Sequence, residues 1–210
     1  MNSAKYDSEL DFWNKEFRRY QRWYNGEIPL NGEAPLCESC RRLYPTPQKA
    51  WVERFQKPYY LTRLGCSQNT FYGKKVLEIG CGPVSGRDVF VGAEHVGVDP
   101  LLGHYRALGY DIKPQDITAF AEFLPFPDNY FDAVISINAL DHVDFPEKVA
   151  EELQRVCKPD VLIALNVEYH SPRICEPVSL DDTKLESLFY WVPSFQKKDS
   201  FDGTHTWRNF

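Results

Sequence analysis

The sequence predicts an α/β protein, a mostly parallel sheet doubly wound by helices. Three observations carry that reading. Four short runs rich in β-branched residues, Val76–Ile79, Val96–Asp99, Ala133–Ile137 and Val161–Leu165, alternate with helical segments. Such alternation builds a parallel sheet with helices on its faces. A glycine-rich turn follows the first run, and Asp202-Gly203, a hairpin signal, lies near the end of the sequence.

The elements follow in chain order. Ser8-x-x-Asp11 reads as a capping box that opens a helix. Leu10, Trp13, Phe17, Tyr20 and Tyr24 then recur at helical spacing, so one face is aromatic, and Asn25-Gly26 ends it. Residues 26–47 are rich in Pro and Gly and read as loop. A second helix is expected over about 47–56, with Trp51 and Phe55 on one face. Pro58 bends or interrupts it before a short third helix that runs to Leu64. Residues 1–72 are thus expected to form a helical cap, and 73–210 the sheet domain. Within the latter, Pro146 opens a helix whose face carries Val149, Leu153 and Val156, and Lys158-Pro159 closes it. Ser194–Phe201 and Thr204–Phe210 flank the hairpin turn and finish the sheet antiparallel.

Composition removes several classes of function. In 210 residues, 43% hydrophobic and 26% charged, a core can form, which excludes a mainly disordered chain. The net charge of −6 argues against binding a nucleic-acid backbone. The start, Met1 to Leu10, is polar and lacks a leader's apolar stretch. The longest apolar run, Val161–Leu165, falls far short of the roughly 20 residues of a membrane span. A cytoplasmic protein is expected. Of six cysteines only Cys37 and Cys40 are close, as Cys-x-x-Cys, with no second pair and no histidine pair at ligand spacing. They read first as free thiols, with redox or metal use the alternative, and no metal is expected.

The most informative stretch is Val76-Leu77-Glu78-Ile79-Gly80-Cys81-Gly82-Pro83-Val84-Ser85-Gly86. Its glycines allow a tight strand-to-helix turn and close approach of a ligand to the backbone. Asp99 ends the next strand, where a carboxylate can accept hydrogen bonds from both hydroxyls of a ribose. A dinucleotide turn spaces its glycines one residue closer. A carboxylate at Glu78 would repel a pyrophosphate, and it suits a ligand carrying an ammonium or a sulfonium.

Leu77-Glu78-Ile79-Gly80-Cys81-Gly82-Pro83 resembles motif I of the class I S-adenosylmethionine-dependent methyltransferases. Leu124-Pro125-Phe126-Pro127-Asp128-Asn129-Tyr130-Phe131-Asp132, Ala139-Leu140-Asp141-His142-Val143 and Glu152-Leu153-Gln154-Arg155-Val156-Cys157-Lys158-Pro159 are similar to later segments of their methyltransferase-11, ubiquinone-biosynthesis-like branch. The resemblance covers roughly residues 74–168. It implies a Rossmann-like, seven-stranded sheet, with S-adenosyl-L-methionine as cofactor and S-adenosyl-L-homocysteine as product. It implies that Glu78, Gly80 and Gly82, with Cys81 between the glycines, meet the methionine end. Asp99 would bind the ribose, Pro100 or Leu101 would pack on the adenine, and Asn138 would close over the methionine moiety. For the adenine amino group two alternatives stand, because Phe120 replaces the family's acid. One is Asp116, and the other is Ala121, through its backbone, with Glu122.

The acceptor is not named by this resemblance. A hydroxyl acceptor benefits from a general base. His142 and His170 follow strands at the carboxyl edge, where ligands bind such sheets. Tyr169 shares that edge, and Trp13, Phe17 and Tyr20 of the aromatic face are expected to cover the substrate. A small molecule is expected: a natural product, a sugar or a glycan end, methylated by a monomer or homodimer. The alternatives are a non-catalytic binding protein on the same fold and a protein or RNA methyltransferase.

Overall fold

The structure, a computed structural model, describes residues 3–210. Met1 and Asn2, the beginning of the polar start read above, lie outside them. The first helix, α1, runs Ser3–Tyr24, so Ser8 sits inside it and does not cap it. The short α2 (Glu38–Leu43) and α3 (Pro47–Trp51) follow. Thr46 caps α3 by accepting from the Lys49 N–H, and Pro47 occupies its first turn, where no donor is needed. The helix does not stop at Pro58. Val52–Gln56 is a π-helical turn that leads directly into α4 (Lys57–Arg63). The wider turn lies where a proline ring would strain α-geometry.

The sheet comprises β1 (Lys75–Ile79), β2 (Glu94–Val98), β3 (Phe131–Ile137), β4 (Cys157–Glu168), β5 (Gln196–Phe201) and β6 (Thr204–Arg208). Helices α5 (Leu102–Leu108), α6 (Pro146–Val156) and α7 (Asp182–Leu188) lie between them. The strand order is β2-β1-β3-β4-β6-β5. The first four strands pair in parallel, and the terminal hairpin joins β4 antiparallel. The fold class is therefore the one expected, with six strands in place of seven. The absent strand survives as one parallel bridge between Ile117 and Val98. Pro114 lacks a donor for a ladder there. The Asp116 carboxylate also takes the Gly97 N–H, at 2.9 Å.

Period-two alternation divides the sheet's side chains. Leu77 and Ile79 face a core shared with Val149, Leu153 and Val156 of α6 and Leu185 and Leu188 of α7. Val76, Ala133 and Ile135 face the opposite way, against Tyr60 and Leu64. A third cluster joins α1 and α3 to α5: Tyr20, Trp23, Ala50, Leu102, Tyr105 and Tyr110. Trp23, outside the aromatic stripe read from the sequence, is fully buried there, and its indole N–H donates to the Ala34 carbonyl. No described helix is long and apolar enough to cross a membrane.

Candidate functional site

Strand order reverses beside β1: β2 lies to one side and β3 to the other. Ligands of open α/β sheets bind at such a switch point, beyond the carboxyl ends of the strands. A cavity of about 820 Å³ opens there, between the turns after β1, β2 and β3 and a roof of helices. Its floor is the glycine turn. Gly80 has φ +64°, and a Cβ on it would fall 2.2 Å from Ala139 Cβ. Only glycine fits the turn here. The Gly82 N–H donates to Asp99 Oδ2 at 3.0 Å, and the Leu101 N–H to Oδ1 at 2.8 Å. The carboxylate is thereby fixed at the cavity wall, each oxygen keeping a lone pair for a ligand. Burial raises its pKa to about 6, opposed by those two backbone hydrogen bonds.

Gly80, Cys81, Gly82, Asp99, Pro100, Leu101, Ala121, Glu122 and Asn138 all line this cavity. Glu122 Oε1 accepts from the Asp144 and Phe145 N–H groups at 2.9 and 3.3 Å, which orients its carboxyl. Asn138, with φ +49°, has a buried Oδ1 that lacks a hydrogen-bond partner.

Two residues of the expected cofactor set sit elsewhere. Glu78 shares the β1 face of Val76 and points beneath the turn. Its oxygens accept from Tyr60 Oη at 2.5 Å and the Gly86 N–H at 2.7 Å, and His95 Nε2 lies 3.0 Å away. It braces the loop and does not line the cavity. Burial, with the Glu78 charge beside it, holds the Tyr60 phenol well above its ordinary pKa, so it donates this bond at all ordinary pH. Asp116 is consumed by Gly97 N, by Ser85 Oγ at 3.1 Å and by Arg87 at 2.8 Å, and faces a separate, smaller pocket.

On the roof, the N-terminal half of α1 presents Lys5, Tyr6, Glu9, Phe12 and Trp13 to the cavity. The Trp13 ring covers the glycine turn, 3.5 Å from where a Gly82 Cβ would stand. Phe17 and Tyr20 do not reach the cavity. They pack on Tyr110, with ring centroids 4.6 and 6.0 Å away, because they lie one and two turns farther along the same face of α1, past the cavity and against the α5 core. Tyr169 is likewise withdrawn: its hydroxyl donates to Asp182 at 2.6 Å and accepts from Trp207 at 3.0 Å.

The two histidines separate. His142 lines the cavity between two carboxylates, with Nδ1 3.7 Å from Glu9 and Nε2 3.7 Å from Glu176. Its Nε2 has no hydrogen-bond partner. His170 lies behind it, with Nδ1 2.8 Å from the Ser171 carbonyl and Nε2 3.0 Å from Asp141. Burial lowers its pKa, but these acceptors outweigh burial and the net shift is upward. Both ring nitrogens are engaged, which leaves none to accept a proton from a substrate. Cys37 caps α2 by accepting from the Cys40 N–H at 3.4 Å, and both thiols are free.

Residues 77–165 match the family profile described as methyltransferase domain. Over those residues the chain matches a methyltransferase domain. The sterol 24-C-methyltransferase of Pneumocystis carinii is 33% identical over 102 residues, which cover 44% of this chain and 27% of that protein. The ubiquinone biosynthesis O-methyltransferase of Dinoroseobacter shibae is 26% identical over 153 residues, covering 69% and 56%. A SAM-dependent methyltransferase of Aquifex aeolicus shares the fold, with a TM-score of 0.50 at 18% identity over 83% of this chain and 100% of that one. This chain thus spans between about a quarter and just over half of those two curated relatives. S-adenosyl-L-methionine is the cofactor that such a domain implies.

The residues present fit that cofactor. Two buried carbonyl oxygens without partners, Asn138 Oδ1 and Gln56 Oε1, belong to side chains on the cavity wall, as an ammonium group requires. The Gln56 amide nitrogen is held by the Val84 carbonyl, which fixes which end of the side chain is free. Reading the methyltransferase domain from sequence missed Gln56, Tyr60, Lys5 and Glu9. The first two reach the site through the π turn, a feature without a local sequence signature. The others meet it only by tertiary packing.

Proposed function

We propose that this chain transfers a methyl group from S-adenosylmethionine to a small-molecule acceptor, most simply to a hydroxyl. The observation that carries the reading is the cavity itself. One wall offers the Asp99 carboxylate for a ribose, and the unpartnered oxygens of Gln56 and Asn138 answer a cationic amino acid end. When bound, the cofactor supplies a methyl group on a sulfonium, already activated for in-line transfer. The chain's share is then alignment, which can supply about 7–11 kcal/mol of a barrier. Glu122 and the Ala121 backbone, which line the cavity, would read the adenine amino group, and Leu101 would pack on the ring.

The remaining wall faces the acceptor. Phe12, Trp51, Phe55 and Tyr59 give it apolar faces that suit a sugar or a planar ring. His142, with Glu176 beside it, is the group to which an acceptor hydroxyl would give its proton. Residues 1–72 serve as cap, with Trp13 closing over the cofactor as well as the acceptor.

Binding calorimetry with S-adenosylhomocysteine and with NAD tests the cofactor side. Heat with NAD and none with S-adenosylhomocysteine would make the cavity a dehydrogenase site. Incubation with labelled S-adenosylmethionine and pooled small metabolites tests the acceptor side, and label recovered only on protein or RNA would overturn it.

A further inference from the structure

Beside the acceptor wall, two loops bring together three donors that cofactor binding does not use. Asp141 and His142 follow β3, and Glu176 lies beyond β4. One donor atom from each lies within 4.8 Å of the other two. Each side chain is tied back through one atom, or flanked, and keeps another free. Asp141 is 0% exposed; its Oδ2 is held by His170 Nε2 at 3.0 Å, while Oδ1 has no partner. The His170 ring is itself locked through the Ser171 carbonyl. Glu176 Oε2 is held by Arg173 at 2.8 Å, while Oε1 faces His142 Nε2 at 3.7 Å. That nitrogen is buried and unpartnered too.

In the resting site a proton on His142 Nε2 would not complete this arrangement. At 3.7 Å it makes no hydrogen bond with Glu176. It would also leave the buried Asp141 Oδ1 unsatisfied, which costs about 1–3 kcal/mol. A cation satisfies all three at once. We propose that Asp141, His142 and Glu176 bind a divalent metal ion whose open positions face the cavity. Metal–donor bonds of about 2.0–2.2 Å put donors roughly 3–4 Å apart, so closure needs a shift of about 1 Å or less. One imidazole and two carboxylates suit Mn²⁺, Fe²⁺ or Zn²⁺. The backing of Asp141 by His170 and of Glu176 by Arg173 is the outer shell that orients ligands in such sites.

The ion's role, though not its binding, rests on the methyl-transfer reading. Coordinated to the ion, an acceptor hydroxyl loses its proton to water. Its oxygen then forms the new O–CH₃ bond as the sulfonium C–S bond breaks and leaves its electron pair on sulfur. His142 acts as ligand in that case, and the ion supplies the acidity.

The test uses the full chain, freed of metal by chelation, and Mn²⁺, which the Cys37 and Cys40 thiols do not favour. Titration followed by calorimetry or by the electron spin resonance of free Mn²⁺ should find one site. Asp141→Asn and Glu176→Gln should each weaken it at least about tenfold, with S-adenosylhomocysteine affinity unchanged within about twofold. No Mn²⁺ bound by the wild type at about 1 mM, or equal binding by both variants, overturns the proposal. If Asp141→Asn does not fold, Glu176→Gln and His142→Gln decide it. Mn²⁺ binding without S-adenosylhomocysteine binding keeps the ion and sinks methyl transfer; the opposite result does the reverse.

Discussion

The two walls of the cavity are built by opposite means. The core of the proposed cofactor wall is nearly continuous in sequence: strand β1, its glycine turn, and Asp99 at the end of the neighbouring strand, with Gln56 and Asn138 joining it from more distant elements. Backbone hydrogen bonds set its geometry, from Gly82 and Leu101 to Asp99. The proposed acceptor wall is assembled from α1, the π turn, the turn after β3 and the loop after β4, and side chains set its geometry. The first wall is stiff and tolerates little change. Side chains such as Phe12, Phe55 and Tyr59 on the second can be exchanged without touching the glycine turn or Asp99.

Substitutions on either wall test that contrast. The largest effect is expected at Gly80. An Ala there must hold φ near +64° with its methyl 2.2 Å from Ala139. Strain and overpacking together should cost roughly 2–5 kcal/mol of stability, and calorimetry should detect no S-adenosylhomocysteine binding. Normal binding by Gly80→Ala would mean that the stiff wall can give.

His142→Ala belongs to the other wall and should separate the two. Turnover on a hydroxyl acceptor should fall by about 10²–10⁴-fold, with S-adenosylhomocysteine affinity nearly intact. A parallel loss of both would show that the walls are coupled. Next comes Asp99→Ala, which should weaken S-adenosylhomocysteine by about 1.5–3 kcal/mol, the worth of charged hydrogen bonds. An unchanged dissociation constant would remove Asp99 from the ribose site.

The pH dependence of binding should be smaller and directional. In the empty protein the Asp99 carboxyl titrates at about 6, against 3.8 unperturbed, so the fold holds this proton more tightly than the unfolded chain does. Its contribution to stability is therefore present below pH 3.8 and lost as pH rises through about 6. Ribose hydroxyls need the ionised form as acceptor. Affinity for S-adenosylhomocysteine should accordingly fall about tenfold from pH 7 to pH 5, and the slope should vanish in Asp99→Asn. Glu9 and His142, which also act on this charge, give the control: the slope should survive Glu9→Gln. The smallest effect is expected at Asp116. Since Ser85, Arg87 and Gly97 consume its carboxylate, Asp116→Asn should leave cofactor affinity within about threefold. A loss as large as that of Asp99→Ala would return Asp116 to the adenine site.

The same contrast explains what the sequence could tell. The alternation of strands and helices, the glycine turn and Asp99 are local patterns, and they were legible because a strand, a tight turn and a carboxylate at a strand end each have a local cause. Glu78 shows the limit. Its position was plain, but its direction depends on strand alternation together with Tyr60 and His95, which come from distant elements. The seventh strand failed for a similar reason, since the Asp116 side chain captured an amide that a ladder would have used. Phe17 and Tyr20 shared a helical face with Trp13, yet periodicity cannot say where along a helix the cavity ends and the core begins.

The π turn at Val52–Gln56 carries a consequence of another sort. A turn of that kind holds one residue more than an α-helical turn of similar rise, and so it advances everything after it by roughly 100° about the axis. Trp51, Phe55, Gln56, Tyr59 and Tyr60 all reach the cavity from this one stretch, a broader arc than a single α-helical face presents. The breadth of that arc is stored in the number of residues and not in their identities. Deleting one of them would restore an ordinary helix and swing either Trp51 or Tyr60 out of the site, even with every remaining side chain unaltered. Point substitutions cannot imitate that change, so in this protein the outline of the acceptor chamber would be remodelled in a single heritable step by an insertion or deletion of one codon.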